Sequence, residues 1–267
     1  MRIQAKDILH NNVRDKLDRG EVVASVTVRL TRGIEIARIA KTAGFDTLYI
    51  DMEHNSFSMD ATGQICMAAQ ALDIAPFVRV PANTPEWISR VLDAGALGVI
   101  APHVGSAEEA RAVVAAAKFA PLGERSAAGG LPQLEFRSFP ASESYPVMNR
   151  ATMVIVQFEN VAALEHAEEI LAVDGVDMVL IGTNDLTADM GIAGQYDHPR
   201  VREAYQRTID ICRRLGKHCG VGGLSSRHDL VVEFVKMGAR YVSTGTDTAF
   251  LLQACTAKAK QVLDIEL

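Results

Sequence analysis

The sequence has few aromatic residues and few cysteines, and it contains no strongly basic segment. Aromatic residues make up 6% of its 267 positions, whereas hydrophobic residues make up 48%. The core must therefore consist mainly of alanine, valine, isoleucine and leucine, which is typical of α/β proteins whose strands are covered on both faces. With a formal net charge of -6, neither nucleic acid nor an anionic membrane surface is an expected partner.

The four cysteines are scattered without a CxxC spacing, which argues against disulfides and against a zinc site. We interpret them as small buried residues of a protein in the reducing cytoplasm. The start, MRIQAKDILHNNVRDKLDRG, is polar and helix-like, unlike a secretory signal. No apolar run is long enough to span a bilayer. The cysteines are Cys66, Cys212, Cys219 and Cys255.

Short apolar runs alternate with segments of helical spacing along most of the chain. After an N-terminal helix we count about eight strand–helix repeats with short connections, which predicts a parallel sheet. Eight repeats in a chain of this length fit a (β/α)8 TIM barrel better than an open doubly wound sheet. No Gly-x-Gly-x-x-Gly follows the first strand, as it would in a dinucleotide-binding fold. We therefore predict one barrel domain over residues 1–267, closed by a C-terminal helix.

The regular alternation lapses at residues 121–148, which are rich in proline and glycine and show no sustained period. We predict a long loop there, with a short helix at most. A structureless loop of this length inside a compact domain is usually functional.

Two acidic residues follow neighbouring predicted strands, near 152–158 and 176–182. Glu159 comes after VIVQF and Asp185 after VLIG. The ends of neighbouring parallel strands point to the same face, so the two carboxylates can converge there. Hard carboxylate oxygens without a neighbouring histidine or cysteine suit Mg²⁺ or Mn²⁺. Each could instead be an ordinary helix-start residue, with Asp185 as N-cap and Glu159 in a first turn.

Other polar residues are predicted at the same end of the barrel, where the active sites of this fold lie. They follow the second, third, fourth, fifth, sixth and eighth strands. They are Asp51, Glu53, His54, Arg79, His103, Gln157, Asn184 and Asp247.

The segments YIDMEHN, FVRV, LDAGALGVIAPHV, QFEN and IGTNDLTADMG, in this order and spacing, resemble the class II pyruvate aldolases of the HpcH/HpaI family. The resemblance covers roughly residues 35 to 250, and IGTNDLTADMG and the D-x-E-H segment are its most specific parts. It implies a metal-dependent lyase that reversibly cleaves 4-hydroxy-2-oxo acids to pyruvate, or a close 2-oxo acid, and an aldehyde through an enolate. The wider superfamily includes proteins similar to the citrate lyase β-subunit.

The resemblance also implies roles for individual residues. Glu159 and Asp185 match the metal ligands, with Mg²⁺ or Mn²⁺ expected before Co²⁺ or Zn²⁺. Arg79 matches the arginine on the keto oxygen. His54 matches the acid–base group, and Asp93 matches the aspartate that orients it. The remaining matches are Asp51 as a loop support, Gln157 near the ketoacid, and Gly182, Thr183, Asn184 and Asp185 as the turn that takes the carboxylate.

The family resemblance implies an assembly as well. The C-terminal helix is expected to pack on a neighbouring subunit, commonly in a homohexamer. Its apolar stripe, in TDTAFLLQACTAKAKQVLDIEL, is longer than closure of one barrel needs.

The sequence departs from the family pattern where the aldehyde would be bounded. Val28 stands where an aromatic residue is expected near the pocket, and SAAGGLPQLEFRSFP replaces a commoner arginine–glycine pattern. We hypothesise that Arg29, Arg32 or Arg137 contacts an anionic group on the aldehyde, such as a second carboxylate.

Three other functions compete with the aldolase. A malyl- or citramalyl-thioester lyase of the same superfamily would need room for coenzyme A. A phosphosugar isomerase would use the GVGG and STGTD turns for phosphate. A metabolite-binding barrel without catalysis would lack at least one of the acid–base, arginine or metal-ligand residues.

Overall fold

Eight parallel strands close into a barrel in which each strand pairs with the next along the chain, and β8 pairs with β1. The computed structural model describes residues 3–265. The predicted fold class is confirmed, and the strands lie within a few residues of their predicted positions. The strands are β1 Val23–Val28, β2 Thr47–Asp51, β3 Ala75–Arg79, β4 Gly98–Ala101, β5 Met153–Phe158, β6 Met178–Gly182, β7 His218–Gly222 and β8 Tyr241–Thr246.

Helices return the chain from the end of each strand to the start of the next. The expected end signals act locally: the Ser106 hydroxyl accepts a hydrogen bond from the Glu109 N–H at 3.2 Å, and Gly44 ends a helix at φ 87°. The helices are α1 Ala5–Ile8, α2 Asn12–Asp18, α3 Glu35–Ala43, α4 Met59–Gln70, α5 Pro85–Asp93, α6 Ala107–Ala117, α7 Ala141–Ala151, α8 Val161–Glu165, α9 Ala167–Leu171, α10 Thr183–Asp189, α11 Pro199–Leu215, α12 His228–Met237 and α13 Asp247–Leu263.

The apolar core has two layers, because the strands of a closed barrel are buried on both faces. The outer layer lies between strands and helices and is mostly Val, Ile, Leu and Ala. The inner layer fills the barrel, where Phe77 and Tyr241 stack with ring centroids 6.2 Å apart. It continues into α1, α2 and the residues between them, including Leu9 and Val13, which cover the end where the strands begin.

The predicted long loop at 121–148 contains more regular structure than expected. A 3₁₀ turn spans Pro132–Leu134, and α7 begins at Ala141 and includes Pro146. The prolines led to the prediction of a loop, because proline usually disfavours a helix interior. An interior proline removes one backbone hydrogen bond but does not prevent a helical φ. Tertiary contact compensates: Glu143 of α7 accepts a hydrogen bond from the Ala5 N–H at 2.8 Å.

Helix α13 begins against the barrel and then leaves it. Only Asp247 of this helix is buried, and the rest of the helix is exposed, including Leu252 and Cys255. The expectation that all four cysteines are buried is therefore wrong for Cys255, although all four are free thiols. Within residues 3–265, no helix combines the length and the apolarity needed to cross a membrane.

The Asp247 carboxylate anchors the start of α13 to the loop that follows β1. It accepts hydrogen bonds of 2.8 to 3.1 Å from the backbone N–H groups of Arg29, Leu30 and Thr31. Burial alone would raise the pKa of Asp247, but these N–H groups hold it below its ordinary value. The charged form is therefore stabilised in the folded state.

We expect Asp247→Ala to lower the free energy of unfolding by about 1–3 kcal/mol at neutral pH, since three backbone donors lose a charged acceptor. Because the folded pKa is depressed, this contribution is present above the unfolded aspartate pKa of about 3.9 and is lost as the pH falls through the folded pKa. Urea unfolding of both proteins from neutral to acidic pH measures the difference.

The control is Glu203→Ala, which removes an exposed carboxylate of α11 and should change stability by no more than about 0.5 kcal/mol. A stability difference for Asp247→Ala that persists unchanged at acidic pH would contradict the charged anchor.

Candidate functional site

A cavity of about 360 Å³ opens at the end of the barrel where the strands finish. Residues from seven of the eight strands or their following turns line it. It gathers most of the residues singled out in the sequence, because parallel strands deliver their ends to one face. Those lining the cavity are His54, Arg79, Gln157, Glu159, Gly182, Asn184 and Asp185.

Arg79 lines the wall of the cavity and is held there by the buried Asp51. Arg79 ends β3 and donates from Nε and Nη2 to the two oxygens of Asp51, at 2.9 and 2.7 Å. Its Nη1 lies 2.8 Å from Glu53 Oε2. Burial alone would lower the pKa of Arg79, but Tyr49, Asp51 and Glu53 raise it above its ordinary value. A fixed, fully charged guanidinium therefore faces the cavity.

Asp51 is shared by a second arginine. Arg29 Nε donates to Asp51 Oδ2 at 2.8 Å, and the backbone N–H groups of Glu53 and His54 donate to Oδ1. Burial alone would raise the pKa of Asp51, but Arg79 and Arg29 lower it below its ordinary value. The predicted supporting residue is thus an ionised carboxylate that orders the loop after β2.

Glu159 points into the barrel mouth rather than along a helix. It follows β5, and the next residue, Asn160, is the N-cap of α8, so the alternative of a first-turn glutamate is wrong. Its Oε1 accepts from Gln157 Nε2 at 2.9 Å, and its Oε2 accepts from the His103 N–H at 3.1 Å. Burial raises the pKa of Glu159 above its ordinary value, against the opposing effect of His103 and Arg79.

Asp185 lies in the first turn of α10, after β6, which is the strand that pairs with β5. Gly182, not Asp185, is the N-cap of that helix, so the N-cap alternative for Asp185 is wrong. Asp185 is exposed at the cavity surface. A Cβ atom on Gly182 would lie 2.7 Å from both Cγ and Oε1 of Glu159. The glycine therefore lets the Glu159 side chain pack directly against the β6 turn.

The two other residues of that turn have structural contacts. The Thr183 hydroxyl is buried, donates to the Gly222 carbonyl at 2.7 Å and lies 2.8 Å from the Tyr205 hydroxyl. Asn184 Oδ1 accepts from the Tyr196 hydroxyl at 2.7 Å. These contacts fix the start of α10, where Gly182, Asn184 and Asp185 line the cavity.

Two histidines lie at the mouth, and the family motif includes one of them, His54. The His54 ring is half exposed, with Nε2 3.6 Å from Glu53 Oε2. The His103 ring bridges two carboxylates, with Nδ1 3.0 Å from Glu159 and Nε2 3.1 Å from Glu53. Its backbone has φ 54°, which few non-glycine residues adopt. The sequence signal for His103 was its position after a strand, whereas Glu53 also belongs to the D-x-E-H segment, which assigned it no role.

Asp93 is not part of this cavity within one chain. It ends α5 just before β4 begins, at the opposite end of the barrel, and its Oδ1 accepts from Arg125 Nη2 at 2.7 Å. The expected pairing of Asp93 with His54 is therefore not formed within the chain. Sequence spacing could not reveal this, because α5 carries Asp93 a full helix length away from the strand ends.

Val28 also differs from its expected location. Its side chain is buried in the outer core, whereas its neighbours Thr27 and Arg29 line the cavity. Successive residues of a strand face opposite sides, so a departure at Val28 does not change the cavity wall.

The STGTD turn is used internally. The Thr246 hydroxyl accepts from the Ala249 N–H at 3.1 Å and caps α13, while Asp247 occupies the backbone N–H groups after β1. Two side chains of the turn therefore have structural contacts, and Asp247 adds a buried negative charge beside it, which is unfavourable for a phosphate.

The cavity could hold a divalent cation between its two carboxylates. Among the residues that the structure describes, no three His, Cys, Asp or Glu side chains are arranged to hold a metal. A cation bound by Glu159 and Asp185 would therefore complete its coordination with substrate and water, as Mg²⁺ commonly does. Gln157 Oε1, which is buried without a hydrogen-bond partner within residues 3–265, is a further polar atom available to a ligand.

Comparison with known proteins gives consistent results. A sequence model of the HpcH/HpaI aldolase/citrate lyase family matches residues 32–254. A 4-hydroxy-4-methyl-2-oxoglutarate aldolase of Hapsidospora irregularis is 36% identical over 260 residues, covering 96% of both chains. A 4-hydroxy-2-oxo-heptane-1,7-dioate aldolase of Salmonella typhimurium is 34% identical over 251 residues, covering 94% of both.

A solved structure agrees as well. The crystal structure of an HpcH/HpaI aldolase from Desulfitobacterium hafniense DCB-2 superposes with a TM-score of 0.89 at 31% identity, covering 95% of this chain and 97% of that one. The match extends over the barrel and the strand ends that form the cavity. This chain belongs to the HpcH/HpaI aldolase/citrate lyase family.

Proposed function

We propose that this carbon–carbon lyase reversibly cleaves 4-hydroxy-2-oxo acids to pyruvate, or a close 2-oxo acid, and an aldehyde through an enolate. One observation carries the proposal: two carboxylates, a buried arginine and a half-exposed histidine face the same small cavity. These are Glu159, Asp185, Arg79 and His54. The relatives named as aldolases of 4-hydroxy-2-oxo acids support the same reaction class.

The class of aldolase implies a divalent metal, and the cavity fits one. Glu159 and Asp185 offer the hard oxygen ligands that Mg²⁺ and Mn²⁺ prefer, and we propose these ions before Co²⁺ or Zn²⁺. The missing Cβ of Gly182 leaves the space that Glu159 occupies. A cation bound there would act as a Lewis acid on the 2-oxo and carboxylate oxygens of the substrate.

The chain's own residues would hold the substrate and move its proton. In cleavage, His54 takes the proton of the 4-hydroxyl group, the C3–C4 bond breaks, and its electron pair forms the enolate as the aldehyde leaves. Arg79 stabilises the charge that develops on the 2-oxo oxygen. The first N–H groups of α10, at Gly182 to Asp185, face the substrate carboxylate. Protonation at C3 then gives pyruvate.

His54 is a better proton carrier than His103 because of their contacts. Both ring nitrogens of His103 lie within 3.1 Å of Glu53 or Glu159. Only one His54 nitrogen lies near a carboxylate, at 3.6 Å. We assign His103 to holding Glu159 and Glu53, and His54 to proton transfer. We do not assign Asp93 a role within one chain.

The alternatives have less support. A coenzyme A thioester would need several cationic groups for its phosphates, whereas the described lining of the cavity contains two arginines, Arg29 and Arg79, and no lysine. The phosphosugar isomerase would need the STGTD turn, where Thr246 caps α13 and the charged Asp247 would repel a phosphate. A barrel without catalysis would not need an arginine, a histidine and two carboxylates together.

We further propose that the protein is a homo-oligomer in which α13 packs on a second copy, with the hexamer as the expected form. The apolar stripe of α13 is exposed and includes Leu252 and Val262. An apolar groove on the outside of β1 and β8, lined by Val22, Val231 and Val242, lies where the last helix of a barrel would pack. A second copy's α13 offers a complementary apolar surface for it.

Solvent deuterium exchange into the methyl group of pyruvate tests the proposed enolate chemistry. We expect exchange by the metal-loaded wild type, its loss after EDTA, and its loss in Glu159→Ala. His54→Ala should reduce the exchange rate by roughly 10²–10⁴-fold, the range typical of general acid–base catalysis. NMR of pyruvate over time measures the rate.

His166→Ala is the matched control, since His166 is an exposed histidine at the boundary of α8 and α9 and should leave exchange unchanged. Exchange that survives EDTA, or no exchange with any divalent metal, would overturn the proposed reaction.

Gly182→Ala should weaken Mn²⁺ binding on the order of 10- to 100-fold, an effect typical of lost support around a ligand. The added Cβ would lie 2.7 Å from Glu159 Oε1 and must displace that side chain, while φ of -85° suits alanine. Electron paramagnetic resonance titration of free Mn²⁺ gives the affinity without relying on activity.

Gly129→Ala is the control, because a Cβ at Gly129 meets nothing within 4 Å. If Gly182→Ala folds and binds Mn²⁺ as tightly as the wild type, Glu159 is not a ligand.

Leu252→Asp should reduce the mass of the assembly measured by sedimentation equilibrium, since a charge would be buried in the proposed contact of α13. Gln253→Asp places the same side chain on the polar stripe that continues with Thr256 and Lys260, and it should keep the wild-type mass. A monomeric wild type would refute the proposed assembly.

A further inference from the structure

The three arginines that the sequence offered as contacts of the aldehyde differ in their surroundings. Arg137 pairs with Glu135 at 3.3 Å, beside the 3₁₀ turn and away from the cavity. Arg32 lies over the Phe57 ring, with its guanidinium carbon 3.8 Å from the ring centre. Its Nη atoms donate to carbonyls after β1 and to Asn55. Of the three, Arg29 lines the cavity.

The position of Arg29 is fixed from two sides. Its backbone N–H donates to the buried Asp247 at 2.8 Å, and its Nε donates to Asp51 Oδ2 at 2.8 Å. The same oxygen accepts from Arg79 Nη2 at 2.7 Å. Since both guanidinium groups share one oxygen, Arg29 lies directly beside the arginine proposed to hold the 2-oxo group.

The outer edge of Arg29 remains available to a ligand. Within residues 3–265, neither Nη1 nor Nη2 of Arg29 has a hydrogen-bond partner, and 38% of its side chain is exposed. The two Nη atoms of an arginine form a planar fork that matches a carboxylate in a bidentate arrangement. An arginine held by Nε alone therefore presents this fork at the open side of the cavity.

We propose that Arg29 is a specificity-determining residue that binds a carboxylate on the aldehyde, so the preferred acceptor is an aldehyde that carries its own carboxylate. The inference rests on the proposed aldolase function. In this arrangement the enolate lies against Arg79. The carbonyl group of the aldehyde lies toward His54, and the rest of the aldehyde extends toward Arg29. The fork would then bind the end of the 4-hydroxy-2-oxo acid opposite to its C1 carboxylate.

The test is the preference between carboxylated and neutral acceptors in addition of pyruvate. Succinic semialdehyde is compared with butanal, and glyoxylate with acetaldehyde, as ratios of kcat/KM. The wild type should prefer the carboxylated member of at least one pair, and Arg29→Gln should lower that ratio roughly 10- to 100-fold, as expected for lost hydrogen bonds to a charged group. Because the ratio compares two acceptors with the same variant, it cancels any general loss of activity that Arg29→Gln causes through Asp51 and Arg79.

Arg29→Lys keeps the charge without the fork and should give an intermediate ratio. It also serves if Arg29→Gln does not fold. Arg32→Gln removes an adjacent arginine whose donors are used internally, and should keep the wild-type ratio and the wild-type exchange rate.

The outcomes separate two failures. If the wild type shows no metal-dependent deuterium exchange into pyruvate, the aldolase function itself is rejected. With exchange present, a wild type that shows no preference in either pair, an unchanged ratio in Arg29→Gln, or an equal fall in Arg32→Gln would reject the role of Arg29 alone.

Discussion

The mouth of the barrel depends on one buried carboxylate. Asp51 is fully buried and accepts hydrogen bonds from Arg79, from Arg29 and from two backbone N–H groups of the loop that carries His54. A buried charge is tolerated only where such contacts replace its hydration. Since the donors come from β3, from the end of β1 and from the loop after β2, ionised Asp51 sets their relative positions.

Glu159 is in the opposite situation. Asp51 has two cationic partners, whereas Glu159 is buried beside Gln157 and His103, and burial raises its pKa. Both carboxylates stand at the ends of strands, yet their surroundings stabilise the charged form of Asp51 and disfavour the charged form of Glu159. A cation at Glu159 would relieve this unfavourable environment, because it would supply the positive charge that Asp51 receives from its two arginines.

The sequence was sufficient for the strands and for the residues at their ends, because the apolar alternation locates each strand and parallel strands finish on one face. It could not show that His103 bridges Glu53 and Glu159, since that depends on an unusual backbone angle. Nor could it show the contact that Asp93 makes. A motif assigned this residue a role beside His54, but the structure places its side chain beside Arg125. Both cases depend on contacts between residues far apart in the chain.

The packed interior of the barrel has a kinetic consequence. Tyr49 and Leu180 form the floor of the cavity and belong to the same buried layer as Tyr241, so the described structure leaves the mouth as the way in and out. In the proposed reaction pyruvate lies deep, near Glu159, and the aldehyde lies above it toward Arg29. In that reaction the geometry would impose an order: the aldehyde would depart first in cleavage, and the ketoacid would enter first in synthesis.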